Sequence, residues 1–137
     1  RPEQWRTRID AVEQDPAGIQ QYARGVYTEV LIGDVREVVP RRAVEVHYDV
    51  ILFADVLEEL YKDDGRALLE TAALLAGELV VARVRLGDDA FRAGSEAGHR
   101  LSCWHPKDFA DPVFGTHRCE LRSYPDQGAL VTIRSQG

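Results

Sequence analysis

The chain has 137 residues, 45% of them hydrophobic, enough for one domain with an apolar core. Its formal charge of −6 gives no general electrostatic case for nucleic acid. No apolar run approaches the roughly 20 residues that span a bilayer, no signal-peptide pattern is present, and Cys103 and Cys119 show no metal-type spacing and read as free thiols in a reducing compartment in preference to a disulfide.

Taken in order, Thr7–Val12 reads as a short strand with Glu13 at its end. Asp15 is a favoured N-cap and Pro16 suits a first helical position, so a helix is expected over Pro16–Arg24, stopped by Gly25. Val26–Ile32 is the next strand, closed by Gly33-Asp34. Val35–Val39 reads as a helical turn that Pro40 ends, and Arg41–His47 as a polar connection with an extended piece at Val44–Val46.

A central strand follows over Asp49–Ala54. Its apolar run Val50–Ala54 does not alternate, which is what burial on both faces requires. It stops at Asp55, and Val56–Leu60 begins helical structure. Asp63-Asp64-Gly65 restarts a helix to about Ala76, with Leu68, Ala72 and Leu75 spaced for one face and Gly77 placed to end it. Glu78–Leu86 is a β-branched strand, and Gly87–Gly98 is a polar loop long enough for a binding role. Pro106 starts a short helix to about Ala110. His117–Tyr124 and Ala129–Arg134 alternate on either side of Pro125-Asp126-Gln127-Gly128, a β-hairpin.

This order implies an α/β, Rossmann-like, mostly parallel sheet flanked by helices, with a C-terminal antiparallel β-hairpin. Three strands end in carboxylates, Glu13, Asp34 and Asp55. Carboxyl ends of parallel strands share one edge of such a sheet, so the three are expected along one rim, where ionised acids can accept ribose hydroxyls or an adenine amine. Each also has a plainer role: Asp34 and Asp55 as helix caps, Glu13 as a solvated strand end.

Arg8-Ile9-Asp10-Ala11-Val12-Glu13, Val30-Leu31-Ile32-Gly33-Asp34-Val35 and Tyr48-Asp49-Val50-Ile51-Leu52-Phe53-Ala54-Asp55-Val56-Leu57-Glu58 resemble successive motifs of class I S-adenosylmethionine-dependent methyltransferases. Ser102-Cys103-Trp104-His105-Pro106-Lys107-Asp108-Phe109 is similar to their Trp-x-Pro-x-Asp-Phe segment. The resemblance implies S-adenosylmethionine as cofactor and a small-molecule methyl acceptor, with no metal, in a cytoplasmic, bacterial enzyme that could form a homo-oligomer. By position, Glu13 would hold the ribose, Asp34 and the Val35 backbone would meet adenine, and Phe53, Ala54 and Asp55 would face the methionine end. Where the family often has His after Val-Leu-Glu, this chain has Glu59.

A larger departure is the family's glycine-rich loop, which precedes the ribose acid by about 20 residues and follows a strand lying between the second and the fourth. Only twelve residues precede Glu13 and none is glycine, so that strand and its loop do not fit there: a preceding N-terminal segment is the favoured expectation, with a strand supplied by another chain or a rearranged sheet as the alternatives. The neighbours' edges would then be exposed, at about 1–3 kcal/mol per unpaired buried group. Asp55, His99 and His105 are the candidate bases for an acceptor that must lose a proton. A structural role is the plainer reading of each His, as burial is for Cys103, packing for Trp104 and Phe109, and solvation for Asp88-Asp89 and Arg41-Arg42. Two other functions fit: an NAD-binding Rossmann-like enzyme using Glu13, against which the hairpin argues, and a non-catalytic interaction module of the same fold.

Overall fold

The computed structural model describes residues 6–15, 17, 25–87, 100–110, 117–126 and 128–135. They fall into two compact units, Arg1–Glu45 and Val46–Gly137. The expected helix Pro16–Arg24 and most of the Gly87–Gly98 loop, including His99 beyond it, lie outside the described residues.

In the first unit, β1 (Asp10–Glu13) pairs in parallel with β2 (Glu29–Ile32), Glu13 opposite Ile32. Both strands begin later than their apolar pattern does. The Thr28 hydroxyl accepts the Ile9 amide at 3.1 Å, so a side chain takes a place that a ladder carbonyl would have filled. Helix α1 runs Val35–Val46, which corrects the expected stop at Pro40 and the polar connection after it. Proline costs the bond its missing N–H would have made to the Arg36 carbonyl, but its fixed φ is itself helical. Val38 and Ala43, both buried, anchor the helix on either side of it. His47, at φ 55°, ends it in the left-handed conformation usual for Gly or Asn.

The second unit is a four-stranded sheet in the order β3-β4-β6-β5. β3 (Val50–Ala54) and β4 (Leu79–Arg85) are parallel, while β6 (Gly128–Ser135) is antiparallel to both β4 and β5 (His117–Ser123). Register puts Ile51, Phe53, Val80, Ala82, Val84, Ala129, Val131 and Ile133 on one face, all buried. Helix α2 (Lys62–Leu75) packs on β4 and β6 and buries Leu68, Leu69, Ala72 and Ala73. Its acidic first turn, Asp63 and Asp64, suits the helix dipole. The expected burial of β3 on both faces does not hold: Val50 and Leu52 are 48% and 63% exposed. Among the described residues β3 has a single strand neighbour, β4. The strand that the resemblance places between the second and the fourth has no counterpart among the described residues, whose strands form two sheets, β1-β2 and β3-β4-β6-β5.

Trp104 closes this core. It is fully buried and stacks on Phe109 with ring centroids 5.4 Å apart, and its indole N–H donates to the Ser102 hydroxyl at 2.8 Å. Gly65 of α2 lies against the indole, where a Cβ would come within 2.7 Å of Trp104. Gly77 sits in a close approach of the backbone rather than in a left-handed turn. Its N–H donates to the Tyr48 carbonyl at 2.8 Å, and a Cβ there would meet Asp49 at 3.3 Å.

Candidate active site

The first unit sets Glu13 and Asp34 at the same end of adjacent parallel strands. Glu13 is the last residue of β1, half-buried, and one of its oxygens accepts the Asp15 amide at 3.3 Å. The Gly33 amide donates to the Glu13 carbonyl at 3.1 Å, carrying the ladder to the residue before Asp34. Asp34 caps α1: its side chain accepts the Arg36 amide at 2.9 Å, and its carbonyl accepts the Val38 amide at 2.9 Å. The Arg36 guanidinium also bonds its carboxylate at 2.6 Å and holds the carboxyl below the usual range. Val35, the first residue of α1, belongs to the turn whose amides point out of the helix end.

In the second unit, Phe53 and Ala54 complete β3, Phe53 with its side chain in the core. Asp55 follows in the left-handed region at φ 57°, a conformation that Asp tolerates and that clusters at functional turns. It does not cap the next segment, a short 3-10 turn Leu57–Glu59 with no side-chain cap. Its amide instead donates to the Arg83 carbonyl at 3.1 Å, and its carboxylate lies 3.7 Å from the Arg83 guanidinium.

Asp55 opens onto a cavity of about 280 Å³ at the C-terminal ends of β3 and β4, also lined by Glu58, Glu59, Arg83, Arg85 and Arg100. Glu58 is its most buried acid, 6% exposed. Its side chain accepts the Arg85 amide at 2.9 Å, and its carbonyl accepts the Leu101 amide at 2.7 Å, so it ties the turn after β3 to the end of β4 and to the segment leading into Trp104. Burial pushes its carboxyl up, outweighing the Arg85 hydrogen bond, and neighbouring Asp55 adds to the rise. Glu58 is not among the residues that the sequence alone singles out. Its spacing of three from Asp55 and the alternation of Arg83 with Arg85 on one strand face were the available signals.

His105 lies elsewhere in this unit, at the start of a 3-10 turn, Pro106–Phe109. Its backbone N–H donates to Asp108 at 2.8 Å in a capping box, and Lys62 donates to the same Asp108 oxygen at 2.9 Å. Burial raises the Asp108 carboxyl, but Lys62 and the His105 amide outweigh it and leave it below the usual range. Trp104 and Phe109 are core residues, and Cys103 and Cys119 are half-buried and outside any disulfide, so Cys103 is less buried than expected. Among the described residues no His, Cys, Asp and Glu cluster could hold a metal ion, and no helix is long and apolar enough to cross a membrane.

No protein-family model matches the chain, and no curated protein matches it in sequence. Solved structures do. Magnesium protoporphyrin IX methyltransferase from Synechocystis, with bound S-adenosylhomocysteine, is 14% identical over 94% of this chain with a TM-score of 0.67. The fold is the class I methyltransferase fold. The small RNA methyltransferase HEN1 shares it at 12% identity over 93% of the chain, with a TM-score of 0.66. An O-methyltransferase family protein from Burkholderia thailandensis does so at 15% identity over 81%, with a TM-score of 0.57. The chain spans 64%, 20% and 36% of the lengths of these three proteins. They are named for a porphyrin, a small RNA and an unspecified oxygen acceptor, so one methyltransferase fold serves unrelated acceptors.

Proposed function

We propose that this chain transfers a methyl group from S-adenosylmethionine to a small-molecule acceptor. The observation that carries the reading is the pairing of Glu13 and Asp34 at the same ends of adjacent parallel strands in a methyltransferase fold. Such ends are where ligands bind in open α/β sheets. On this reading Glu13, one of whose oxygens accepts the Asp15 amide, accepts the ribose hydroxyls. The Val35 backbone meets adenine, and so does Asp34 once Arg36 swings from its carboxylate. S-adenosylmethionine supplies an activated methyl and a good leaving group, so the protein's work is positioning the acceptor and, where needed, taking its proton.

Calorimetry with S-adenosylhomocysteine and with NAD separates this reading from a dinucleotide enzyme. Tight S-adenosylhomocysteine binding is expected, with Glu13→Ala weakening it by about 1–3 kcal/mol through unpaired ribose hydroxyls. Tighter binding of NAD would overturn the assignment. A second reading is a non-catalytic interaction module of the same fold, which absence of binding by either ligand would support.

A further inference from the structure

The cavity beside Asp55 carries both signs of charge. Asp55, Glu58, Glu59 and Asp126 stand against Arg83, Arg85 and Arg100, a near balance that suits neither a simple anion nor a simple cation. A second cavity of about 400 Å³ adjoins it, sharing Arg83, Asp126 and Gly128, and is walled by Tyr124, Pro125, Ala129 and Leu130. A polar chamber of mixed charge thus opens beside an apolar one with an aromatic wall.

We propose that the two chambers together bind an α-amino acid with an apolar or aromatic side chain. Its carboxylate faces the arginines, its ammonium faces the acids, and its side chain lies against Tyr124, Pro125 and Leu130. Arginine is suited to a carboxylate through its planar fork of donors, and an ammonium needs the acceptor-only oxygens that ionised Asp and Glu supply. The proposal rests on the methyltransferase reading only in making this amino acid the methyl acceptor. In that role its ammonium gives a proton to a cavity carboxylate. The freed nitrogen lone pair then forms the new N–C bond as the C–S bond of the sulfonium breaks, leaving the N-methylamino acid and S-adenosylhomocysteine. Glu58, whose burial raises its proton affinity, stands on the wall where that proton has to go.

The test is calorimetry on the full chain with L-phenylalanine, phenethylamine, which lacks the carboxylate, and 3-phenylpropionate, which lacks the ammonium. S-adenosylhomocysteine is titrated separately. L-Phenylalanine is expected to bind at least tenfold tighter than either analogue. Arg85→Gln and Tyr124→Ser, both at exposed positions, are expected to weaken it severalfold without changing the melting temperature. Equal binding of an analogue, no heat from L-phenylalanine, or indifference to both variants overturns the proposal. If S-adenosylhomocysteine binds and L-phenylalanine does not, the inference fails alone. If L-phenylalanine binds and S-adenosylhomocysteine does not, the amino-acid site stands and the methyltransferase reading fails.

Discussion

The two units are held together by different forces. In the first, the named contacts are mostly ionic: Arg8 bonds Asp10 at 2.9 Å and Glu29 at 3.3 Å, Arg42 pairs with Glu29 and Glu45, and Arg36 pairs with Asp34. Its buried apolar residues among those described are Val38 and Ala43. The second holds the rest of the core, from Ile51 and Phe53 through Leu57, Leu69 and Trp104 to Ile133. Apolar burial stabilises by roughly 1.5–3 kcal/mol per large side chain, whereas exposed ion pairs contribute about 0–1 kcal/mol each. Among the described residues the second unit therefore buries most of the large apolar side chains, and the first carries two of the acids assigned to the cofactor.

The largest test of that contrast is Trp104→Ala. Deleting the indole empties the space against Gly65 and Phe109, and an aromatic-to-alanine change in a core costs about 3–5 kcal/mol. Hydrogen exchange should show the amides of β4 and β6 losing protection, with smaller losses in β1 and β2. Equal losses in both units would mean that they unfold as one body and would erase the contrast.

The same contrast explains what could be read in advance. The order of strands, α2 and the hairpin followed from apolar periodicity and turn residues, because those signals report local geometry that packing in the second unit reinforces. The signals that misled were ones that context overrides. Pro40 reads as a stop, yet its φ fits a helix already under way and anchored by Val38 and Ala43. The unbroken Val50–Ala54 run reads as a strand covered on both sides, yet Leu52 faces outward. Of the site, strand-end acids were legible because strand ends are legible. Asp34 turned out to be engaged as a cap and an ion-pair partner. The role of Glu58 and the arginines around it is not legible in the sequence, since a cavity is a property of several chain segments meeting and no one of them encodes it.

A smaller effect separates charge from packing inside the second unit. The Glu58 carboxyl is raised by burial, so the native state holds its proton to higher pH than the unfolded chain does. Stability on its account is fully present below the ordinary glutamate value near 4.3 and falls as pH rises through the raised folded value, by about 1.4 kcal/mol for each tenfold gain in proton affinity on folding. Glu58→Gln keeps an acceptor for the Arg85 amide and removes the buried charge. The variant should melt higher than the parent at pH 7 to 8, with the gap closing below pH 4. A gap independent of pH would show that packing, not charge, set the difference.

The smallest effect belongs to the first unit and is the sharpest probe of its ionic character. Arg42 bridges Glu29 of β2 and Glu45 of its own helix, and Arg8 reaches the same Glu29. Arg42→Gln removes the bridging charge but leaves most of the side-chain stem. Because Glu29 keeps Arg8 and is itself 44% exposed, water and the second arginine compensate, and the loss should stay under about 1 kcal/mol. It should also shrink further as salt is raised toward 1 M, where screening acts within about 3 Å. Amide exchange in β1 and β2, measured at low and high salt, reads it directly. Were the loss larger than that of Glu58→Gln is a gain, or unmoved by salt, the first unit would owe its order to packing after all. The division between an ionic unit and an apolar one would then give way to a single core.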